Sequence, residues 1–138
     1  MSRHVLVALT HSPESRRALE FAFDNFESDR ITVIHVFNPA IHYGGEGFVD
    51  ERVIENERDR AEDLLAEAAE AGGERGIDVE TVLERGETKR MIIEYATEQD
   101  VDHLVLGSRG RSGVARLLLG SIAEGVVRRA PVPVTIVK

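Results

Sequence analysis

The sequence predicts an open α/β sheet of parallel strands with helices on both faces. Three observations carry this. Val5-Leu6-Val7-Ala8-Leu9 and Leu104-Val105-Leu106 are unbroken apolar runs, as expected for strands covered on both sides. Strand-like and helix-like periodicities alternate along the chain, the order that builds a parallel sheet. The 138 residues suffice for one such domain, 1–138, with no linker, internal repeat or low-complexity stretch.

The elements follow in order. After the first strand, Ser12-Pro13 opens a helix, serine as cap and proline at the first helical position. Ala18, Leu19, Ala22 and Phe26 form its buried stripe. Ile31 to Val36 is rich in β-branched residues and reads as the second strand. A loop with Pro39 and Gly44-Gly45-Glu46-Gly47 leads to a long helix from about Asp50 to Ala71. Its inner face is Ile54, Ala61, Leu64, Leu65, Ala68 and Ala69, and its charged outer face is solvated. Gly72, Gly73 and Gly76 are expected to end it. Ile77 to Val82 alternates apolar and polar, which suits a strand near a sheet edge. Gly86 starts a helix with Ile92, Ile93 and Ala96 inside, and His103 to Leu106 is the fourth strand. Ser121-Ile122-Ala123-Glu124 has the spacing of a capping box, with Ser121 as cap. The helix it opens has Ile122, Ala123, Val126, Val127 and Ala130 inside and Arg128 and Arg129 in its last turn. Pro131 to Val137 closes the chain as a strand whose prolines place it at an edge.

Composition narrows the function. The net charge of −8 argues against nucleic acid and anionic membranes as partners. No apolar run reaches the length of a membrane span, and the N-terminus lacks signal-peptide architecture, so a cytoplasmic protein is expected. The absence of cysteine excludes disulfides and cysteine-based zinc sites. Fifteen arginines stand against two lysines, Lys89 and Lys138. That acidic, arginine-rich composition suits a high-salt cytoplasm and fits a bias in base composition equally well. His35, His42 and His103 show no metal-ligand spacing, and neither a metal site nor a catalytic set is assigned.

The informative stretch is GSRGRSGVARLLLGS, Gly107 to Ser121, with four glycines and three arginines. It lies beyond the fourth strand, where open α/β sheets bind ligands. Glycines let a backbone approach a phosphate closely. Helix-start amides attract anions, and Arg109, Arg111 and Arg116 offer charge-assisted contacts. A Walker-type P-loop is absent, because neither lysine follows a glycine; the dinucleotide fingerprint is absent because Leu9-Thr10-His11-Ser12 has no glycine. The plain structural alternative is a long connection rich in turn residues.

The spacing Gly107-x₂-Gly110-x₉-Gly120-Ser121 is the nucleotide-binding signature of the universal stress protein family. GSRGRSGVARLLLGSIAEGVVRRAPVPVTIV and VLVALTHSPESRRAL resemble the family's C-terminal third and its first strand and helix. The resemblance spans the whole chain. It implies a three-layer, five-stranded parallel sheet in the order 3-2-1-4-5, Rossmann-like and adenine nucleotide alpha hydrolase-like. It implies ATP, with AMP or cyclic AMP as alternatives, and Mg²⁺ carried in by the nucleotide. Gly107, Ser108, Arg109, Gly110, Gly120, Ser121 and Ile122 would surround the phosphates and ribose, Val36 the adenine, and Ala8, Leu9 and Thr10 the other side. It implies a homodimer through the C-terminal edge strand, acting in stress response or signalling with protein partners the sequence does not name. One departure stands out: Thr10-His11 replaces the Asp-Gly of many ATP-binding members. That removes the carboxylate expected beside the phosphates and puts an imidazole at the mouth of the site. Two other readings stay open: a dimeric scaffold of the same fold without nucleotide, and a weak ATPase.

Overall fold

The computed structural model describes residues 2–38, 51–109 and 119–138. The loop read around Pro39, His42 and Gly44 to Gly47 lies outside them, as do Gly110, Arg111, Gly113 and Arg116.

Among the described residues nine elements alternate: β1 (His4–Ala8), α1 (Pro13–Asn25), β2 (Arg30–Phe37), α2 (Glu51–Glu74), β3 (Val79–Arg85), α3 (Thr88–Glu98), β4 (His103–Gly107), α4 (Ser121–Arg129) and β5 (Val134–Val137). The strands form one sheet in the order β3-β2-β1-β4-β5. Every pairing is parallel, with Ala8 opposite Ile34, Val7 opposite Val105 and Gly107 opposite Val137. Both strands expected at the edges, β3 and β5, are there.

Successive strand residues point to opposite faces, and two cores result. Val5, Val7, Ile31, Val33 and Val105 meet Ala18, Ala22 and Phe23 of α1 and Leu64, Leu65 and Ala68 of α2. Leu6, Ile34, Leu104 and Leu106 meet Ile92 and Ala96 of α3 and Ala123 and Val126 of α4. The end of the sheet where strands start is closed by a buried polar group. His4 bridges the Gln99 carbonyl at 3.1 Å and Thr32 Oγ1 at 2.8 Å. Among the described residues no helix is long and apolar enough to cross a membrane.

Besides β5, which begins at Val134 with Pro131 and Pro133 ahead of it, and α3, which begins at Thr88 with Glu87 rather than Gly86 at its start, four details differ from expectation. Gly72 and Gly73 do not end α2, which runs on to Glu74. Gly72 is buried where a Cβ would meet Val79 Cγ2 at 2.4 Å, so it serves helix-to-strand packing. The stop is Gly76, at φ +75°, a conformation that glycine adopts without steric cost. Second, β3 begins at Val79 rather than Ile77; Ile77 is buried ahead of it, and its N–H donates to the Gly72 carbonyl at 2.8 Å. Third, Val127 is 44% exposed rather than inside. Fourth, Gly120, not Ser121, is the N-cap of α4. Ser121 occupies the first helical position, and Glu124 pairs with Arg128 at 2.9 Å instead of reaching back.

Candidate functional site

The strand order reverses between β1 and β4, and the C-terminal ends of these two strands lie side by side. Ala8 ends the first of them and Leu9 follows it; the Leu9 N–H donates to the Ile34 carbonyl at 2.9 Å. Its own carbonyl accepts from His35 Nδ1 at 2.7 Å. The imidazole of His11 meets that of His35 edge-on, with centroids 5.8 Å apart.

Thr10 begins a knot of hydroxyls that fixes the first turn of α1. Its Oγ1 is 2.9 Å from Ser12 Oγ and 3.2 Å from Ser15 Oγ. The Thr10 N–H donates to Ser15 Oγ at 3.0 Å, and Ser15 Oγ donates to the Thr10 carbonyl at 2.8 Å. Ser12 is the N-cap, as its sequence position implies, accepting from the Ser15 N–H at 3.2 Å. Its hydroxyl also donates to the Arg109 carbonyl at 3.3 Å. Thr10 is thereby tied to the start of the glycine stretch.

Gly107 is the last residue of β4 rather than the first of a loop. A Cβ there would lie 2.6 Å from the Ser15 nitrogen and 2.7 Å from the Glu14 carbonyl carbon. Glycine is needed at 107 because α1 crosses β4 in backbone contact. Ser108 is buried. Its N–H donates to the Val137 carbonyl and its carbonyl accepts from the Gly120 N–H, both at 2.7 Å. The second of these bonds pins together the two ends of the signature segment. Gly120 then caps α4 with no side-chain cap hydrogen bond. Ser121 is exposed. Ile122 packs with Ala8, Val36 and Leu119 against the same core cluster.

The structure thus links Thr10 through Ser12 to the Arg109 carbonyl, and brings Ser108 to Gly120, and Ala8, Val36 and Ile122 to one face of the sheet. Gly110 lies outside the described residues. The lost carboxylate at position 10 has a counterpart that the sequence reading did not identify. Glu14 is buried, with Oε1 3.3 Å from Arg109 Nη2 and 3.6 Å from Arg17 Nη2. Its sequence signal was an acidic residue in the first helical turn, where the helix dipole favours it. A cavity of about 210 Å³ lies to one side, between α1 and α2, lined by His11, Arg16, Arg60, Asp63, Leu64 and Glu67. Among the described residues no cluster of His, Asp and Glu is arranged to hold a metal ion.

These features suit an anion better than a cation. The donors left to it are the first N–H groups of α4 and the exposed Ser121 hydroxyl, with the Arg109 guanidinium, which Glu14 holds; the Ser108 and Gly120 N–H groups and the Thr10, Ser12 and Ser15 hydroxyls are bonded within the fold.

The family model described as "Universal stress protein family" matches residues 1–138. The chain is 33% identical to universal stress protein YxiE of Bacillus subtilis, covering 100% of both chains. It is 32% identical to a universal stress protein of Thermus aquaticus, again over 100% of both. Among solved structures, hypothetical protein MJ0577 superposes with a TM-score of 0.82 at 21% identity, covering 100% of this chain and 96% of that one. A universal stress protein in complex with cAMP gives 0.73 at 25% identity, covering 99% and 96%. The universal stress protein from Archaeoglobus fulgidus in complex with dAMP gives 0.69 at 24% identity, covering 100% and 98%. Sheet order, whole-length family match and whole-length relatives agree: this chain belongs to the universal stress protein family.

Proposed function

We propose that this protein binds an adenine nucleotide at the β1–β4 switch point, ATP engaging the site most fully and AMP or cyclic AMP part of it. One observation carries the reading: the Gly120 N–H donates to the Ser108 carbonyl, closing the signature segment beside the start of α4. The backbone there presents amides to a phosphate at the positive end of a helix. Arg109 adds a charged fork, Ser121 an exposed hydroxyl, and Gly107, Gly110 and Ile122 complete the phosphate and ribose side. Val36 borders the adenine, with Ala8, Leu9 and Thr10 opposite. The neighbours solved with cAMP and dAMP support adenine as the base.

Mg²⁺ enters with the nucleotide, held by its phosphates and by water. No residue here is assigned to catalysis; the bound nucleotide is the signal, and the protein acts as a cytoplasmic stress-response module. Its unpaired edge strand β5 is a template for a second copy, which favours a homodimer.

The test is mass spectrometry of small molecules released from the denatured, purified protein, followed by titration of ATP, AMP and cyclic AMP. Stoichiometric nucleotide, or affinity in the micromolar range, is expected. No binding at millimolar ATP would favour the scaffold without nucleotide. Phosphate release abolished by Ser121→Ala would favour the weak ATPase.

A further inference from the structure

We infer that phosphate binding at Arg109 is coupled to the edge strand β5 through Glu14 and Arg17. The inference rests on the nucleotide reading above and adds to it a route by which occupancy is felt outside the site.

The route is a continuous chain of polar contacts. Glu14 is held with its carboxylate 11% exposed. A single oxygen, Oε1, serves two guanidiniums, at 3.3 Å from Arg109 and 3.6 Å from Arg17. Both distances exceed the roughly 2.7–2.9 Å of a well-formed charge-assisted hydrogen bond. The carboxylate is therefore shared and fully committed to neither. Arg17 turns its Nε the other way and donates to the Lys138 carbonyl at 2.8 Å. The neighbouring residue, Val137, accepts from the Ser108 N–H at 2.7 Å. The end of β5 is thus held by two groups, Ser108 within the signature and Arg17, which is joined to Arg109 of the signature by two ion pairs sharing Glu14.

A phosphate carries more charge than a carboxylate and takes Arg109 in competition with Glu14. Glu14 then has one partner, Arg17, and closes on it. A guanidinium fixed by Glu14 at one nitrogen presents its Nε to the Lys138 carbonyl in a narrower range of orientations. The bistable element is the carboxylate, leaning to Arg109 when the site is empty and to Arg17 when it is filled. Such coupling is reciprocal: whatever the ligand does for β5, the tie at residue 138 does for the ligand.

The test is hydrogen–deuterium exchange of the full chain, with and without saturating ATP, in the wild type and in Arg17→Gln. Arg17 is about half exposed and outside the site, and an unchanged thermal midpoint verifies that the variant folds. ATP should slow exchange across residues 131–138 in the wild type. In Arg17→Gln that slowing should disappear, while ATP still slows exchange in the first turn of α4. By reciprocity the variant should bind ATP about two- to fivefold more weakly, the scale of one partly exposed ion pair. Equal slowing at 131–138 in both proteins would overturn the inference, as would a wild type that binds ATP without slowing there. A wild type that does not bind ATP at all would remove the nucleotide reading, and the coupling with it.

Discussion

Replacing Gly107 with alanine separates two roles that the sequence runs together. The signature assigns this glycine to a phosphate; the structure assigns it to packing. An added Cβ would lie 2.6 Å from the Ser15 nitrogen, 2.7 Å from the Glu14 carbonyl carbon and 3.0 Å from Glu14 Cβ. The two shortest of these approaches are to backbone atoms, which no rotamer change relieves. Neither side yields easily. Gly107 is inside β4, opposite Val137, and the first turn of α1 is fixed by Thr10, Ser12 and Ser15. Overpacking of this kind costs about 2–3 kcal/mol. For a domain of this size that is a fall of roughly 6–12 °C in thermal midpoint. The assay is thermal unfolding followed by circular dichroism, without nucleotide. A midpoint within about 2 °C of the wild type would refute the packing role and return Gly107 to the ligand alone.

Other substitutions test neighbouring parts of the structure. At Gly73 a Cβ would meet nothing within 4 Å, so Gly73→Ala should stabilise by about 0.5–1 kcal/mol in urea unfolding; destabilisation would mean that α2 ends earlier. Ser12→Ala removes the N-cap bond of α1 and the hydroxyl bonded to the Arg109 carbonyl, for an expected loss of about 1–2 kcal/mol, measured in the same way. Burial, then the charge of Arg3, holds the His103 imidazole below the ordinary histidine range. The unfolded chain then binds the proton more readily, so this contribution is complete above about pH 6.5 and is lost as pH falls through the lower, folded value. Urea midpoints from pH 7.5 down to pH 5 should fall more steeply in the wild type than in His103→Gln, and parallel slopes would contradict the sign.

The sheet was legible because its signals are local and redundant. Buried central strands are mostly apolar, the sequence around one edge strand alternates, and prolines lie just ahead of the strand at the other edge. Boundaries were less legible wherever one residue type serves two ends. Gly72 looked like a stop, yet it faces Val79 inside a helix that continues past it. Ser121 and Glu124 have capping-box spacing, but the Gly120 N–H is drawn to the Ser108 carbonyl, and the chain enters α4 one residue earlier. At the site, the glycine spacing was visible and the Glu14–Arg109 pair was not. Their 95-residue separation is bridged only by the adjacency of β1 and β4, which brings the first turn of α1 against the end of β4. An acidic residue in a first helical turn gives no sign of what lies across the sheet.

The central claim is that the closed signature segment holds a nucleotide, and titration of ATP against Gly120→Val tests it most directly. Gly120 has φ −69° and ψ 163°, a conformation that valine adopts without strain. Losing a favourable cap residue costs about 1 kcal/mol, so the protein should remain folded. The branched side chain would stand at the junction of the signature and α4, where the phosphates are expected. Affinity for ATP should fall at least about tenfold, a loss of roughly 1.4 kcal/mol, with the wild-type circular dichroism spectrum retained. A folded Gly120→Val that binds ATP as tightly as the wild type would contradict the assignment of the site.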